Sequence, residues 1–174
     1  MDHSLAVSVA REALERGRRD TGMAFDEVAL LFHSSAALDK FVRVASVHMD
    51  NFNSVPCDVM RRQDKYGDHF QVRFEFFRPW SYVTEDEQPW RIEAMCVLEG
   101  EAPLHAQAMR VSDDLPVVIH LSYKCHTLDA YSAEVRALRS GQPMRAEYQN
   151  SYGVFSYWGD GAPYLKPRVN LRDA

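Results

Sequence analysis

The sequence predicts a single α+β domain over residues 1–174: a mostly antiparallel, ferredoxin-like β-α-β-β-α-β sheet with an additional N-terminal helix. Segments whose apolar residues recur at helical spacing alternate with short segments that are continuously or alternately apolar, and this alternation is typical of α+β proteins. The composition agrees, because 46% hydrophobic and 26% charged residues are ordinary values for a globular chain. We find no linker, low-complexity stretch or internal repeat in the sequence.

The first half of the chain contains two predicted helices and two predicted strands. Leu5–Arg16 and Ala36–Met49 each carry an apolar stripe at helical spacing, which predicts amphipathic helices. Glu27–Phe32 is a nearly continuous apolar run and predicts a buried strand. Residues 51–68 are polar and contain proline and glycine, which predicts a long loop. Phe70–Phe77 alternates between apolar and polar residues, as half-exposed strands do.

The second half begins with a strand at Trp90–Leu98, which is expected to return antiparallel to the preceding strand. Two segments, Val28–Phe32 and Val117–Tyr123, are apolar at almost every position, which predicts inner strands buried on both faces. The other predicted elements are a short helix at Leu104–Val111, a helix at Leu128–Arg139, one or two strands within Met144–Trp158, and an extended polar tail at Tyr164–Ala174.

The net charge and the cysteine content indicate which partners and which cellular compartment to expect. The net charge of −5 gives no reason to expect binding to duplex DNA, which requires clustered cations. Cys57, Cys96 and Cys125 are odd in number and far apart, which favours reduced thiols in the cytoplasm over a disulfide framework. No apolar stretch has the length of a membrane span, so we expect no membrane partner.

Several familiar chemical motifs are absent from the sequence. It contains no glycine-rich phosphate loop, no G-x-S-x-G, no H-E-x-x-H and no C-x-x-C. Cys125 and His126 are adjacent, so they would project to opposite faces of a strand. With no ligand cluster at workable spacing, we predict neither a metal nor a cofactor.

Two His-x-Ser triplets are the sequence's clearest candidate for chemistry. His33 and Ser35 follow the first apolar strand, and His120 and Ser122 lie within another. Residues i and i+2 of an extended chain face the same side, so each triplet would present an imidazole and a hydroxyl together. Two facing triplets would form an acid–base pair suited to phosphodiester cleavage.

The two triplets resemble the signature of the two-histidine (2H) phosphoesterases, a superfamily with two His-x-Thr/Ser motifs on central strands. The resemblance implies a metal-independent phosphodiesterase that acts on cyclic or 2′–5′ linked nucleotides or on RNA ends. His33 and His120 would be the catalytic pair, and Ser35 and Ser122 would bind phosphate. The expected partner is then a small anionic nucleotide or an RNA end.

Further substrate contacts are predicted from Tyr123, Arg61 and Arg62. The alternative is a non-enzymatic ferredoxin-like module that binds a protein partner or a small ligand, with exposed aromatic residues such as Trp80, Trp90 and Trp158 as anchors. In that case Ser34 or Ser35 would only cap a helix. The two hypotheses differ in whether the imidazoles of His33 and His120 share one pocket.

Overall fold

The computed structural model describes residues 3–63, 69–79, 89–100, 116–149 and 153–171. These residues form three α-helices: α1 His3–Thr21, α2 Ser35–His48 and α3 Leu128–Arg139. They also form eight strands: β1 Glu27–Leu31, β2 Met49–Gln63, β3 His69–Pro79, β4 Arg91–Gly100, β5 Val117–Lys124, β6 Met144–Gln149, β7 Gly153–Trp158 and β8 Tyr164–Asn170. Within this part of the chain, the helices lack the combination of length and apolar character needed to span a membrane.

The eight strands form one mixed sheet in the order β2-β3-β4-β1-β5-β8-β7-β6. The sheet consists of two similar units, each with the chain order strand, helix and three strands. In each unit the first strand pairs in parallel with the last, β1 with β4 and β5 with β8, while the other neighbours are antiparallel. The antiparallel pair β1–β5 joins the units at the centre of the sheet.

The two units correspond residue by residue around their first strands and helices. Ala29 of β1 lies opposite Glu93 of β4, and Ser122 of β5 lies opposite Lys166 of β8. The helix caps follow at the same interval, since Ser34 caps α2 and Thr127 caps α3. The offset between the units is therefore 93 residues in this region (122 − 29 and 127 − 34).

The sheet has a helix-covered face and a second face whose apolar cluster is supplied by strands. On the first, α1 and α2 pack against residues such as Val28 and Leu30, and α3 packs against Val169 through Tyr131. The apolar cluster on the second face contains Ala29, Leu31, Val72, Phe74, Met95, Ile119, Ala146, Tyr157 and Tyr164. Among the described residues this cluster is formed by strands alone, and we call this side of the sheet the strand-only face. The alternation of side chains along β1 explains this division, because successive residues point to opposite faces.

Helix α1 lies close to the sheet because small residues face it. Ala6, Ala10 and Ala13 are buried, and Gly17 lies where a Cβ atom would approach Leu121 Cδ1 to 2.5 Å. A larger residue at position 17 would therefore force the Leu121 side chain or the helix to shift.

The α+β class is confirmed, and β1 and β5 are the two central strands as their apolar sequences predicted. The sheet has eight strands, so it is larger than the four-stranded ferredoxin-like sheet expected. The predicted loop at 51–68 is wrong for residues 51–63, which continue β2. The tail contains β8, which lies between β5 and β7. The helix predicted at 104–111 lies outside the described residues.

Candidate functional site

Four ionisable side chains meet on the strand-only face, one from each of the four central strands. They are Glu27 of β1, Glu93 of β4, His120 of β5 and Lys166 of β8, and each residue is between 0% and 5% exposed. Charged residues are almost never buried to this extent unless they are paired. We call these four residues the central cluster.

The side chains of the central cluster are within contact distance of one another. Lys166 Nζ lies 3.4 Å from Glu27 Oε1 and 3.1 Å from Glu93 Oε2, and 3.2 Å from His120 Nε2. The same imidazole nitrogen is 3.1 Å from Glu93 Oε2 and 3.5 Å from Glu27 Oε1. Lys166 Nζ is thus close to one polar atom of each of the other three members.

The two units of the sheet place these residues at equivalent positions. Glu27 and His120 differ by the same 93-residue offset as the helix caps. Glu93 lies opposite the residue two places after Glu27, and Lys166 lies opposite the residue two places after His120. The first unit therefore contributes two carboxylates, and the second contributes an imidazole and an ammonium.

A surrounding layer of charged side chains balances the cluster. Arg91 Nη2 donates to Glu27 Oε2 at 2.5 Å. Arg168 forms two 2.8 Å hydrogen bonds to the Asp26 carboxylate. Together with the cluster, these side chains comprise three carboxylates and three cationic groups, so their formal charges cancel when His120 is neutral.

The cations keep both buried carboxylates of the cluster ionised. Burial alone would raise the pKa of Glu27, but Lys166, Arg91, Arg168 and a hydrogen bond from His120 outweigh it and hold this pKa well below its ordinary value. Burial and the neighbouring Glu27 likewise oppose ionisation of Glu93. Attraction to Lys166 and contact with His120 nevertheless lower its pKa to about 2. Both groups are therefore weak bases at neutral pH.

Two aromatic rings pack beside Lys166 and His120. Lys166 Nζ lies 5.1 Å from the ring centroid of Phe155 and 5.6 Å from that of Tyr157, within range of cation–π attraction. The His120 ring meets Tyr157 edge to face, with the centroids 5.4 Å apart. The ammonium is thus stabilised by carboxylates and by aromatic faces.

His120 has one ring nitrogen in the cluster and one without a partner. Its Nδ1 atom is buried and has no hydrogen-bond partner among the described residues. The hydrogen bond from His120 to the carboxylates assigns the ring proton to Nε2, so in the neutral ring Nδ1 is a buried acceptor that is left unsatisfied. Such groups are rare in folded proteins and cost free energy. The hydrogen-bonding capacity of this nitrogen is therefore unused among the described residues.

Three members of the cluster have the chemistry of a metal site, but the fourth does not fit one. The ligand atoms of Glu27, Glu93 and His120 all lie within 4.8 Å of one another, and carboxylate and imidazole are common zinc ligands at about 2.0–2.2 Å. Lys166 Nζ lies within 3.4 Å of one ligand atom of each residue. An ammonium has no lone pair for a metal and repels a second cation. The site as built therefore does not fit a divalent ion.

The structure separates the two histidines that the sequence analysis paired. His33 is exposed and lies beyond the end of β1, four residues after Ala29, whereas Ala29 is opposite His120. Four extended residues span about 13 Å. By the 93-residue offset, His33 corresponds to the exposed His126 and not to His120. The structure therefore does not place the two triplets as facing partners.

The other predicted site residues also have local contacts. Ser35 is the first residue of α2, behind the cap Ser34, whose side chain accepts from Ala37 N. Ser122 Oγ donates to the Lys166 carbonyl oxygen and accepts from Arg168. The Tyr123 hydroxyl donates to Glu134. Arg61 and Arg62 belong to β2, and their side chains lie outside the described part of the structure.

Sequence reasoning missed three of the four cluster residues. Glu27 opens an apolar run, Glu93 stands among Ile92, Ala94 and Met95 in a strand, and Lys166 lies in the tail interpreted as polar. In the first two cases the available signal was a single acidic residue within a segment otherwise suited to burial. No equivalent signal marked Lys166, because its strand was not recognised.

The sequence matches no protein-family model and no curated protein, but the fold matches solved structures. A methylmalonyl-CoA epimerase in complex with methylmalonyl-CoA and NH4+ is 14% identical, with a TM-score of 0.57 over 86% of this chain and 95% of that chain. The epimerase from Mycobacterium tuberculosis is 13% identical, with a TM-score of 0.52 over 84% and 87%. A hypothetical protein from Bacillus halodurans C-125 is 14% identical, with a TM-score of 0.54 over 86% and 96%.

These matches show that the chain shares its fold with methylmalonyl-CoA epimerases. The resemblance to two-histidine phosphoesterases is therefore wrong, and so is the phosphodiesterase function drawn from it. The expected nucleotide or RNA-end partner is wrong as well, because the solved neighbours with named ligands carry CoA thioesters. The two His-x-Ser triplets have the same internal spacing, but they do not occupy equivalent positions in the two units. The prediction that they face each other was wrong for this reason.

Proposed function

We propose that this chain is an isomerase-type enzyme that moves a proton at a carbon atom next to a carbonyl group. The observation that carries the proposal is the central cluster, where ionised carboxylates, an ammonium and an imidazole converge on the strand-only face. Buried, closely coupled ionisable groups are typical of catalytic sites. The fold likeness to methylmalonyl-CoA epimerases supports an epimerase among the isomerases.

The chemistry of the cluster assigns different roles to its members. Breaking a C–H bond next to a carbonyl places negative charge on the carbonyl oxygen, and the Lys166 ammonium would stabilise that charge. His120 is the proton carrier, because its Nδ1 atom has no partner among the described residues and imidazole is the commonest side chain in general acid–base catalysis. Glu27 and Glu93, whose pKa values are lowered, would hold the two nitrogen groups in place.

The proposed substrate is an anionic acyl compound with an acidic C–H bond, such as a 2-substituted malonyl thioester. Methylmalonyl-CoA is the ligand of a solved neighbour that also contains NH4+; in this chain the ammonium belongs to Lys166. Arg91 supports an anionic substrate, since its side chain is 35% exposed while contacting the buried Glu27. Its guanidinium carbon lies 5.6 Å from the Phe76 ring centroid, so the group is held beside the cluster.

Hydrogen exchange at carbon tests this proposal directly. The protein is incubated in D2O with a panel of 2-substituted malonyl-CoA and acyl-CoA thioesters, and loss of the α-proton is followed by NMR. We expect exchange with at least one substrate, and a loss of about 10²–10⁴-fold on His120→Asn, as for other acid–base groups. His126→Asn, at an exposed position, is the matched control and should retain the wild-type rate.

Two results would refute the proposal. The first is that wild-type protein exchanges none of the panel while a methylmalonyl-CoA epimerase assayed alongside does so. Alternatively, exchange by His120→Asn could equal that of wild type, which would remove the cluster from the reaction. Circular dichroism and thermal unfolding of each variant establish that lost activity does not reflect lost structure.

A further inference from the structure

We propose that the Lys166 ammonium is a built-in cation occupying a three-ligand metal position, and that removing it converts the central cluster into a divalent-metal site. This inference goes beyond the proposed isomerase function and does not depend on it. It concerns which cation the three ligand groups hold. In the wild-type chain the cation is the ammonium group of Lys166, a side chain of β8.

The first argument is geometric. Glu27, Glu93 and His120 present two carboxylate oxygens and an imidazole nitrogen within 4.8 Å of one another. Lys166 Nζ lies 3.1–3.4 Å from one such atom of each residue, which is the range of hydrogen bonds to an ammonium. A divalent ion would require the same three atoms at about 2.0–2.2 Å. The ammonium and a metal ion would therefore compete for one set of ligands.

The second argument is electrostatic. Two carboxylates buried together need a compensating cation, and Lys166 Nζ fills that role, 3.4 Å from Glu27 Oε1 and 3.1 Å from Glu93 Oε2. Removing the ammonium leaves Arg91 on Glu27 but takes away the cation that contacts both carboxylates. A divalent ion supplies that missing charge at the same place. The wild-type site has no such deficit.

The third argument comes from the repeated architecture. Lys166 occupies in β8 the position that Glu93 occupies in β4, and His120 corresponds to Glu27. Three of these four equivalent positions carry groups that can ligate a metal, and the fourth carries a cation. Truncation at Lys166 would leave three protein ligands and an open position for water, the usual arrangement of a catalytic zinc site.

Metal uptake by Lys166→Ala tests the inference. Wild type, Lys166→Ala and the matched control Lys40→Ala, at an exposed lysine of α2, are dialysed against Co2+ or Zn2+ and analysed for bound metal. We expect one ion per chain in Lys166→Ala and no stoichiometric ion in the other two. Bound Co2+ should give the visible absorption of a site with nitrogen and oxygen ligands, and metal should raise the melting temperature of Lys166→Ala alone.

A second variant identifies the ligands. Lys166→Ala/Glu93→Gln lacks one carboxylate and should bind Co2+ at least tenfold more weakly than Lys166→Ala. The inference is overturned if wild type binds one ion as tightly as Lys166→Ala, or if folded Lys166→Ala binds none. If Lys166→Ala is unfolded without metal, refolding upon addition of Co2+ supports the inference. Failure of both Lys166→Ala and Lys166→Gln to fold or bind with Co2+ overturns it. None of these measurements requires catalysis, so they remain informative if the proposed isomerase activity is absent.

Discussion

Replacing Lys166 by methionine should destabilise the protein far more than replacing an exposed lysine. At an effective dielectric constant of about 20, charges 3.1 and 3.4 Å apart attract by about 5 kcal/mol per pair. Desolvation of the ions offsets much of this attraction, and breaking a buried ion pair costs about 3–5 kcal/mol. Methionine fills a similar volume, so the expected loss is electrostatic and not a cavity effect.

Urea denaturation and thermal unfolding at pH 7 measure this loss. About 2–4 °C per kcal/mol is typical of chains of this length, so Lys166→Met should lower the melting temperature by roughly 6–20 °C. Lys40→Met, at an exposed position, should change stability by no more than about 0.5 kcal/mol. Both variants are measured without added metal and with a chelator present.

A double-mutant cycle shows whether the loss arises from the proposed pair. Glu93→Gln removes one carboxylate that contacts Lys166, and the double variant Glu93→Gln/Lys166→Met should lose about 1–3 kcal/mol less than the sum of the single variants. Strict additivity, or a Lys166→Met variant as stable as Lys40→Met, would show that the contacts at Nζ contribute nothing to stability. The electrostatic account of the cluster would then be wrong.

Two further predictions follow from the same structure. The Glu93 pKa falls from 4.5 to about 2 on folding, so its stabilisation is complete above about pH 4.5 and is lost as the pH falls towards 2. Linkage between protonation and folding converts this shift into roughly 3 kcal/mol of stability. In urea titrations the free energy of unfolding should therefore decline less between pH 5 and 3 for Glu93→Gln than for wild type. An equal decline in the two proteins contradicts the assignment. Ser34→Ala and Thr127→Ala each remove a side chain that caps a helix by accepting a hydrogen bond from a backbone N–H, and each should lower the free energy of unfolding by about 1 kcal/mol. The control Ser46→Ala, at an exposed helical position, should lower it less. Equal effects would contradict the cap assignment.

The sequence predicted correctly those helices and strands that are marked by a pattern of apolar residues within the element itself. The apolar stripes of α2 and α3 and the continuous apolar run of β1 depend only on neighbouring residues, and each gave the correct element. β2 lies at one edge of the sheet, where a polar sequence containing Pro56 is tolerated, so its composition resembled that of a loop. β8 was missed because its alternation includes Lys166 and Arg168, whose partners are on distant strands.

The central cluster could not be predicted from spacing along the chain. Its members are brought together by strand order, because β4 and β8 flank the β1–β5 pair. The two His-x-Ser triplets illustrate the converse error. They are 87 positions apart (120 − 33), whereas the units repeat at 93, so similar triplets fall at unequal places in the fold. A short motif carries positional meaning only when the repeat that relates its copies is known.

The distribution of charge between the two units explains why they form a specific pair. The first unit carries Glu27 and Glu93 at the joint, and the second carries His120 and Lys166 at the equivalent positions. Two copies of the first unit joined in the same way would bring four carboxylates together. Two copies of the second would bring together two ammonium groups without a carboxylate between them. Either arrangement would bury uncompensated charge at a cost of several kcal/mol. Pairing one unit of each kind compensates these charges. The candidate site therefore lies at the same contact that favours the pairing of the two different units.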